Sequence, residues 1–302
     1  MSDVRIEQAT HLPDDAVSAV RALAARAADA DGIDAVSEAF RLALTSPRAS
    51  VTHLLAYAGR PGPVGYAGRD AAGAAELVVD PSARRAGVGR ALLRAVLDGG
   101  ATGVWAHGDL PAARALAASE GLVPTRELHV MERAVRDGDE VEPTLPEGFS
   151  VRTFEPGRDE QAWLDVNRLA FASHPEQGSL TLADLQDRMA QDWFDPSGFL
   201  LVEDTTTTQD GGAHPLAAFH WTKREPGSTT GEVYVVGVHP AYQGRALAGP
   251  LTGLGTAHLA RLGVERIELY VDGDNTRALA TYRRAGFEDA VLHVVHGRPP
   301  AP

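Results

Sequence analysis

Residues 232–261 read EVYVVGVHPAYQGRALAGPLTGLGTAHLAR. The run Val233-Tyr234-Val235-Val236-Gly237-Val238 is apolar and β-prone and stops at His239-Pro240. After Gln243-Gly244-Arg245, leucines at 247, 251, 254 and 259 recur with helical spacing. The stretch therefore predicts a strand, a tight turn and a helix. The first amides of a helix have no partner inside it and sit at the positive end of its dipole, so small residues before the first turn suit a phosphate-bearing ligand. Taken alone, the pattern is explained as well by ordinary α/β packing.

The same design occurs half a chain earlier, in ELVVDPSARRAGVGR at residues 76–90. With Arg84 set on Gln243, Trp105 falls on Tyr270 and Gly121-Leu122 on Gly286-Phe287, so the offset moves only from 159 to 165 residues. This repeat predicts a duplicated fold, with one domain at 1–136 and a second at 149–302. Between them, residues 137–148 hold two prolines and several carboxylates with few apolar residues, the composition of an exposed linker.

The chain has 302 residues, enough for two domains, and its 44% hydrophobic content lets each half bury a core. Forty-one acidic against 28 basic residues give a formal charge of −13, which argues against nucleic acid or an anionic membrane as partner. An anionic ligand must then be held by local amides and a few arginines. With no cysteine, thiol nucleophiles and disulfides are excluded. The acidic N-terminus lacks a signal-peptide core and no apolar run approaches the ~20 residues of a membrane span, so a cytoplasmic protein is expected.

In the first half, strands are expected at residues 4–7, 52–58, 64–68, 76–79, 103–107 and 128–132. Helices are expected at 13–30, 35–44, in the segment ending near 97, and at 111–119. The order then restarts. Strands are expected at 149–154, 199–203, 216–222, 233–238, 266–271 and 292–295, with helices at 160–171, from 181 onward, from about 247, and at 275–284.

Where the halves differ chemically is informative. Glu232 falls on Gly73 and Tyr282 on Ala117, so one half carries a titratable pair at these positions and the other none. A strand carboxylate and a tyrosine are residue types that can take one proton and give another, the pair that general acid–base chemistry uses. Glu232 read singly is also compatible with a solvated edge carboxylate, and Tyr282 with a packing aromatic. With period 2, Glu232 shares a face with Tyr234 and Val236 unless a bulge intervenes.

Arg84-x-x-Gly87-x-Gly89 resembles the Gln/Arg-x-x-Gly-x-Gly/Ala loop of the GNAT superfamily of acetyl-CoA-dependent N-acetyltransferases. Gln243-x-x-Ala246-x-Ala248 resembles it with alanine at the middle glycine. GEVYVVGV at 231–238, HPEQG at 174–178, WFDP at 193–196 and FHWTK at 219–223 extend the likeness over nearly the whole chain, to the mycothiol synthase family. The resemblance implies an α/β fold (α+β mixed sheet) of two tandem GNAT domains, each a mostly antiparallel mixed sheet flanked by helices. It implies acetyl transfer from acetyl-CoA to the cysteinyl amine of cysteinyl-glucosaminyl-inositol, with Glu232 as general base and Tyr282 as general acid. Glu38, Glu176, Lys223, Glu232 and Tyr270 would hold the small-molecule substrate. In the second domain, acetyl-CoA contacts would come from Val236, Gly237 and Val238, from Gln243, Gly244, Arg245, Ala246, Leu247, Ala248 and Gly249, and from Asn275, Thr276, Arg277, Ala278, Leu279 and Ala280. In the first they would come from Leu77, Val78 and Val79 and from Arg84, Arg85, Ala86, Gly87, Val88, Gly89 and Arg90. This first site is expected to bind acetyl-CoA without reacting, one coenzyme per domain. A monomer is expected, and no metal is assigned because the histidines lack ligand-like spacing. Two rivals stay open on the residues: a GNAT enzyme for another amine, such as a peptide N-terminus or an aminoglycoside, and a non-catalytic acyl-CoA-binding module. If the residue at 246 must adopt positive φ, alanine there costs about 1 kcal/mol.

Overall fold

The computed structural model describes residues 4–46, 50–172, 174, 177–208 and 212–299. Contacts divide the chain into unit 1, residues 1–129, 272–274 and 291–302, and unit 2, residues 130–271 and 275–290.

Unit 1 begins with β1 (Arg5–Ala9), α1 (Asp14–Asp31), α2 (Glu38–Ala43), β2 (Val51–Tyr57), β3 (Gly65–Asp70) and β4 (Ala74–Val79). It continues with α3 (Val88–Asp98), β5 (Gly103–Ala106), α4 (Pro111–Ser119) and the start of β6 (Val123–Ala134). Unit 2 carries β7 (Phe149–Thr153), α5 (Glu160–Ala170), α6 (Leu182–Met189), β8 (Phe199–Asp204), β9 (Leu216–Lys223) and β10 (Thr230–Val238). After these come α7 (Ala248–Arg261), β11 (Arg266–Asp272) and α8 (Thr276–Arg284), and β12 (Glu288–Gly297) starts in unit 2 and belongs to unit 1 from residue 291.

In unit 1 the strands lie in the order β1-β2-β3-β4-β5-β12. Their pairs are antiparallel except β4 with β5, which is parallel at Ala74↔Gly103 and Ala75↔Val104. Helices cover both faces, as alternating side chains on a doubly buried sheet require. Leu92, Leu93 and Val96 of α3 pack with Leu54, Ala67 and Val104 on one side. Val20 and Leu23 of α1 and Phe40 of α2 pack with Leu55, Tyr66 and Val78 on the other. The strand order in unit 2 is β7-β8-β9-β10-β11-β6, with β10 and β11 parallel. Trp163 of α5 and Leu185 of α6 meet Phe199, Phe219, Trp221 and Val235 on one face. Leu259, Leu279 and Tyr282, from α7 and α8, meet Val233, Ile267 and Leu269 on the other. α6 starts where the sequence signals it. The Thr181 hydroxyl accepts the Asp184 amide, and the Asp184 carboxylate accepts that of Thr181.

These units differ from the sequence boundaries 1–136, 137–148 and 149–302, and pairing explains why. Val294–Gly297 of β12 pair with β5, which carries the end of the chain into unit 1. Residues 137–148 belong to unit 2 and lean on α7: Arg261 donates to Glu140 O at 3.1 Å and to the Glu142 carboxylate at 2.7 Å.

The small residues of α7 have a packing reason that periodicity alone hides. A Cβ at Gly255 would lie 2.0 Å from Cε1 of His220. That ring is fully buried and fixed by a 2.8 Å contact from Nδ1 to Leu251 O. Gly255→Ala is expected to destabilise the protein by about 3 kcal/mol, since overpacking a fixed ring forces backbone shifts. Denaturant unfolding checks it. The loss should shrink when His220→Ala is added, because the two sites are coupled.

Candidate active site

β10 is the strand on which the site is built. Its register with β9 runs Glu232↔Lys223 and Val233↔Thr222, then resumes at Val235↔Trp221, leaving Tyr234 as a bulge. One extra residue inverts the alternation beyond it. Glu232 therefore shares its face with Val235 and Gly237, whereas Val233, Val236 and Val238 turn toward α7 and α8. With Tyr234 bulged but still packed against the α5/α6 cluster, the period-2 expectation holds for Glu232 with Tyr234 and is corrected for Val236, which the bulge turns to the other face. Gly237 is glycine for a local reason, since a Cβ there would come 2.8 Å from the Phe219 ring.

Against β11 the register of β10 runs from Thr230↔Arg266 to Val233↔Leu269. β10 itself continues to Val238 and β11 past Val271. Glu232 is half-buried just before that last rung, on the α5/α6 face. Tyr282 is on the opposite side, buried in the cluster that contains Val233 and Leu269, the rung itself. Burial pushes its phenol up to about 12, so it keeps its proton at neutral pH. The two candidate catalytic side chains thus sit above and below one rung.

Lys223 faces Glu232 directly. It is buried, pairs with Glu225 at 3.0 Å, and lies 5.0 Å from the Trp193 ring centre and 5.5 Å from that of Tyr234. Tyr270, on β11, is 46% exposed, open enough to meet a ligand. Glu38 belongs to unit 1, where it opens α2 behind Ser37. Glu176 lies outside the described residues.

The two turns that follow the strands share one geometry. Each begins with a short 3-10 turn whose amide is capped by the preceding side chain: Asp80 accepts from the Ser82 amide, His239 from that of Ala241. In unit 1, Arg85 (φ 64°) and Gly87 (φ 89°) are left-handed; in unit 2 the matching Gly244 (φ 82°) and Ala246 (φ 59°) are. Each loop thus has one glycine and one strained non-glycine at these positions. Neither α3 nor α7 has a side-chain cap, so the first amides of both helices meet the requirement for an anion seat. Gln243, Gly244, Arg245, Ala246, Ala248 and Gly249 are exposed, as are Arg84, Arg85, Ala86, Gly87 and Arg90. Val78, Val88, Leu247 and Leu279 bury their side chains in the cores, which leaves them only backbone groups for a ligand. Asn275 caps α8 by accepting the Ala278 amide, while Thr276, Arg277 and Ala280 are exposed. Arg84 grips Asp31 through two hydrogen bonds of 2.7 and 2.8 Å, so its guanidinium is already committed.

A model of the acetyltransferase (GNAT) family matches residues 163–287, the part that holds β9, β10, the turn and α8. The mycothiol acetyltransferase of Kytococcus sedentarius is 49% identical over 290 residues, covering 95% of this chain and 95% of that relative. That of Streptomyces coelicolor is also 49% identical over 290 residues, covering 93% and 91%. The chain belongs to the mycothiol acetyltransferase family. Among solved structures, a GCN5-related N-acetyltransferase from Sphaerobacter thermophilus is similar with a TM-score of 0.65 and 26% identity, covering 98% of this chain and 97% of that one. A tandem GNAT protein from the clavulanic acid biosynthesis pathway shares the fold at TM-score 0.71 and 20% identity, over 99% and 100% of the two chains.

In this member of the mycothiol acetyltransferases, unit 1 is less empty chemically than the repeat comparison suggests. Glu76, only 2% exposed, holds the Ser37 amide at 2.7 Å, and His107 Nε2 lies 3.1 Å from its other oxygen. Comparing Gly73 with Glu232 misses this pair because the carboxylate arrives three residues later. Glu76 ties down the start of α2; it is not placed as Glu232 is.

Glu268 was also missed. It sits on β11 opposite Glu232, half-buried between the buried Ile267 and Leu269. A charged residue inside an apolar strand run, in phase with Tyr270, is the sequence signal for it. Among the described residues no cluster of three or more His, Cys, Asp or Glu could hold a metal ion, and no helix is long and apolar enough to cross a membrane.

Ala246 settles the question raised by its loop, since positive φ is what the position demands. Ala246→Gly is expected to raise the unfolding free energy by about 1 kcal/mol, because glycine adopts this conformation without the Cβ clash. Denaturant melts check this; a lowered midpoint contradicts it.

Proposed function

We propose that unit 2 transfers the acetyl group of acetyl-CoA to the cysteinyl amine of cysteinyl-glucosaminyl-inositol, the reaction that completes mycothiol. The observation that carries this reading is the placement of Glu232 and Tyr282 on opposite sides of the Val233↔Leu269 rung, on the strand that leads into a turn with two left-handed residues. The near-50% identity of full-length relatives named mycothiol acetyltransferase supports the choice of acceptor.

In this mechanism Glu232 takes a proton from the acceptor's ammonium group and leaves a neutral nitrogen. That nitrogen attacks the thioester carbonyl; the C–N bond forms and the C–S bond breaks. Tyr282 gives its phenolic proton to the departing sulfur, and the proton shed by the nitrogen on amide formation restores the phenol. Lys223 and Tyr270 offer donors to hydroxyl oxygens of the acceptor. The pyrophosphate of acetyl-CoA rests on the amides that follow Gln243. A second acetyl-CoA on the turn after Arg84 is structural and does not react.

Incubating the protein with acetyl-CoA and cysteinyl-glucosaminyl-inositol and following the coenzyme A thiol tests the reading. Thiol release that requires this acceptor supports it. Release driven equally well by peptide N-termini or aminoglycosides refutes the choice of acceptor, and acetyl-CoA binding without release under any acceptor refutes transfer itself.

A further inference from the structure

The rung that carries Glu232 extends across neighbouring strands of unit 2. Lys223 stands opposite Glu232 on β9, and Glu268 is its register partner on β11. Adjacent strands lie about 4.8 Å apart and register partners in a parallel pair point to the same face. Glu232 and Glu268 therefore emerge side by side from neighbouring backbones, away from the Val233 and Leu269 side.

The geometry points to Glu268 as a positioning residue for the transfer: its carboxylate, one strand away from Glu232 on the same face, makes Glu232 a stronger base. This rests on Glu232 being the base, as proposed above. Two half-buried carboxylates that emerge from neighbouring strands on one face repel each other when both are ionised. The charge on one strengthens the hold of the other on a proton, so the pair titrates as a unit with one proton retained to higher pH.

Other charged and polar groups flank the pair, and Lys223 acts against the effect. From β9, Lys223 shares its charge with Glu225 at 3.0 Å. On the other flank Glu132 of β6 is paired with Arg266 at 2.7 Å. From α6, Arg188 donates to the Tyr234 hydroxyl at 2.9 Å, and Tyr270 follows Glu268 on β11. His258 of α7 and Tyr282 of α8 belong to the opposite face, and Asn167 is the buried polar residue that α5 contributes. The Glu268 carboxyl is itself held above the usual carboxylate range, first by burial and then by Glu132, with Lys223 opposing.

The test is the pH profile of kcat/KM for the amine acceptor in Glu268→Gln, with Glu268→Asp and Glu232→Gln measured alongside. Glutamine keeps the shape and removes the charge. The acid limb should move down by about 0.5–1 pH unit and plateau kcat should fall about 3–10-fold, as expected of a weaker base, with KM for acetyl-CoA unchanged. Glu268→Asp should keep the acid limb within a few tenths of a unit. An unmoved limb in Glu268→Gln, whether or not stability falls, overturns the assignment. If Glu232→Gln loses its turnover while that limb stays fixed, only the role of Glu268 is refuted; full turnover in Glu232→Gln refutes the parent mechanism instead.

Discussion

Glu232→Gln is expected to lower kcat by about 10²–10⁴ while acetyl-CoA still binds and the fold is unchanged. Glutamine has the shape of glutamate and cannot take a proton at neutral pH, so the substitution isolates general-base chemistry, whose usual contribution is of that order. Glu232 is half-buried at the edge of the rung and its side chain is no part of the apolar clusters, so its loss should leave the melting transition almost in place. The natural acceptor amine should become rate-limiting at neutral pH, with part of the lost rate returning as the pH is raised and the amine deprotonates unaided. Steady-state kinetics across pH, together with calorimetric binding of acetyl-CoA, check the result. A variant that turns over within threefold of the parent protein would remove Glu232 from the chemistry.

Much of this arrangement was legible in the sequence. The strand, turn and helix after Glu232 were announced by β-prone residues, a proline and a change to helical spacing, and the copy at 76–90 turned a common pattern into a duplicated fold. Short-range rules suffice there, because the signals lie within a few residues of the structure they specify. The bulge at Tyr234 depends on how β9 and β10 align, and no spacing within β10 reveals that two of its residues oppose one on its neighbour. Glu268 was hidden for the same reason, since its meaning comes from a strand more than 30 residues away in sequence. The compact units departed from the linear division because Val294–Gly297 pair with β5, a long-range choice that composition does not express. At Ala246 the sequence posed the question and the backbone answered it: φ of 59° marks strain that alanine tolerates and glycine would release.

The two turns allow the division of labour to be tested with one glycine substitution in each. Gly87 and Gly244 are both left-handed, and a Cβ at either meets no atom within 4 Å. Aspartate is among the few non-glycine residues that adopt this conformation readily, so Gly87→Asp and Gly244→Asp should fold. Each places a carboxylate beside the amides meant for a pyrophosphate, where like-charge repulsion opposes binding. At fixed subsaturating acetyl-CoA, Gly244→Asp should lower acetylation by about 10²-fold or more, a loss equivalent to roughly 3 kcal/mol. Gly87→Asp should halve the coenzyme bound and leave turnover within a few-fold. The decisive measurement is therefore the acetylation rate of these two variants side by side, with bound acetyl-CoA and melting temperature recorded for each. Loss of turnover confined to Gly244→Asp is the expected result; loss confined to Gly87→Asp, at unchanged folding, would contradict the assignment of acetyl transfer to the Glu232 unit.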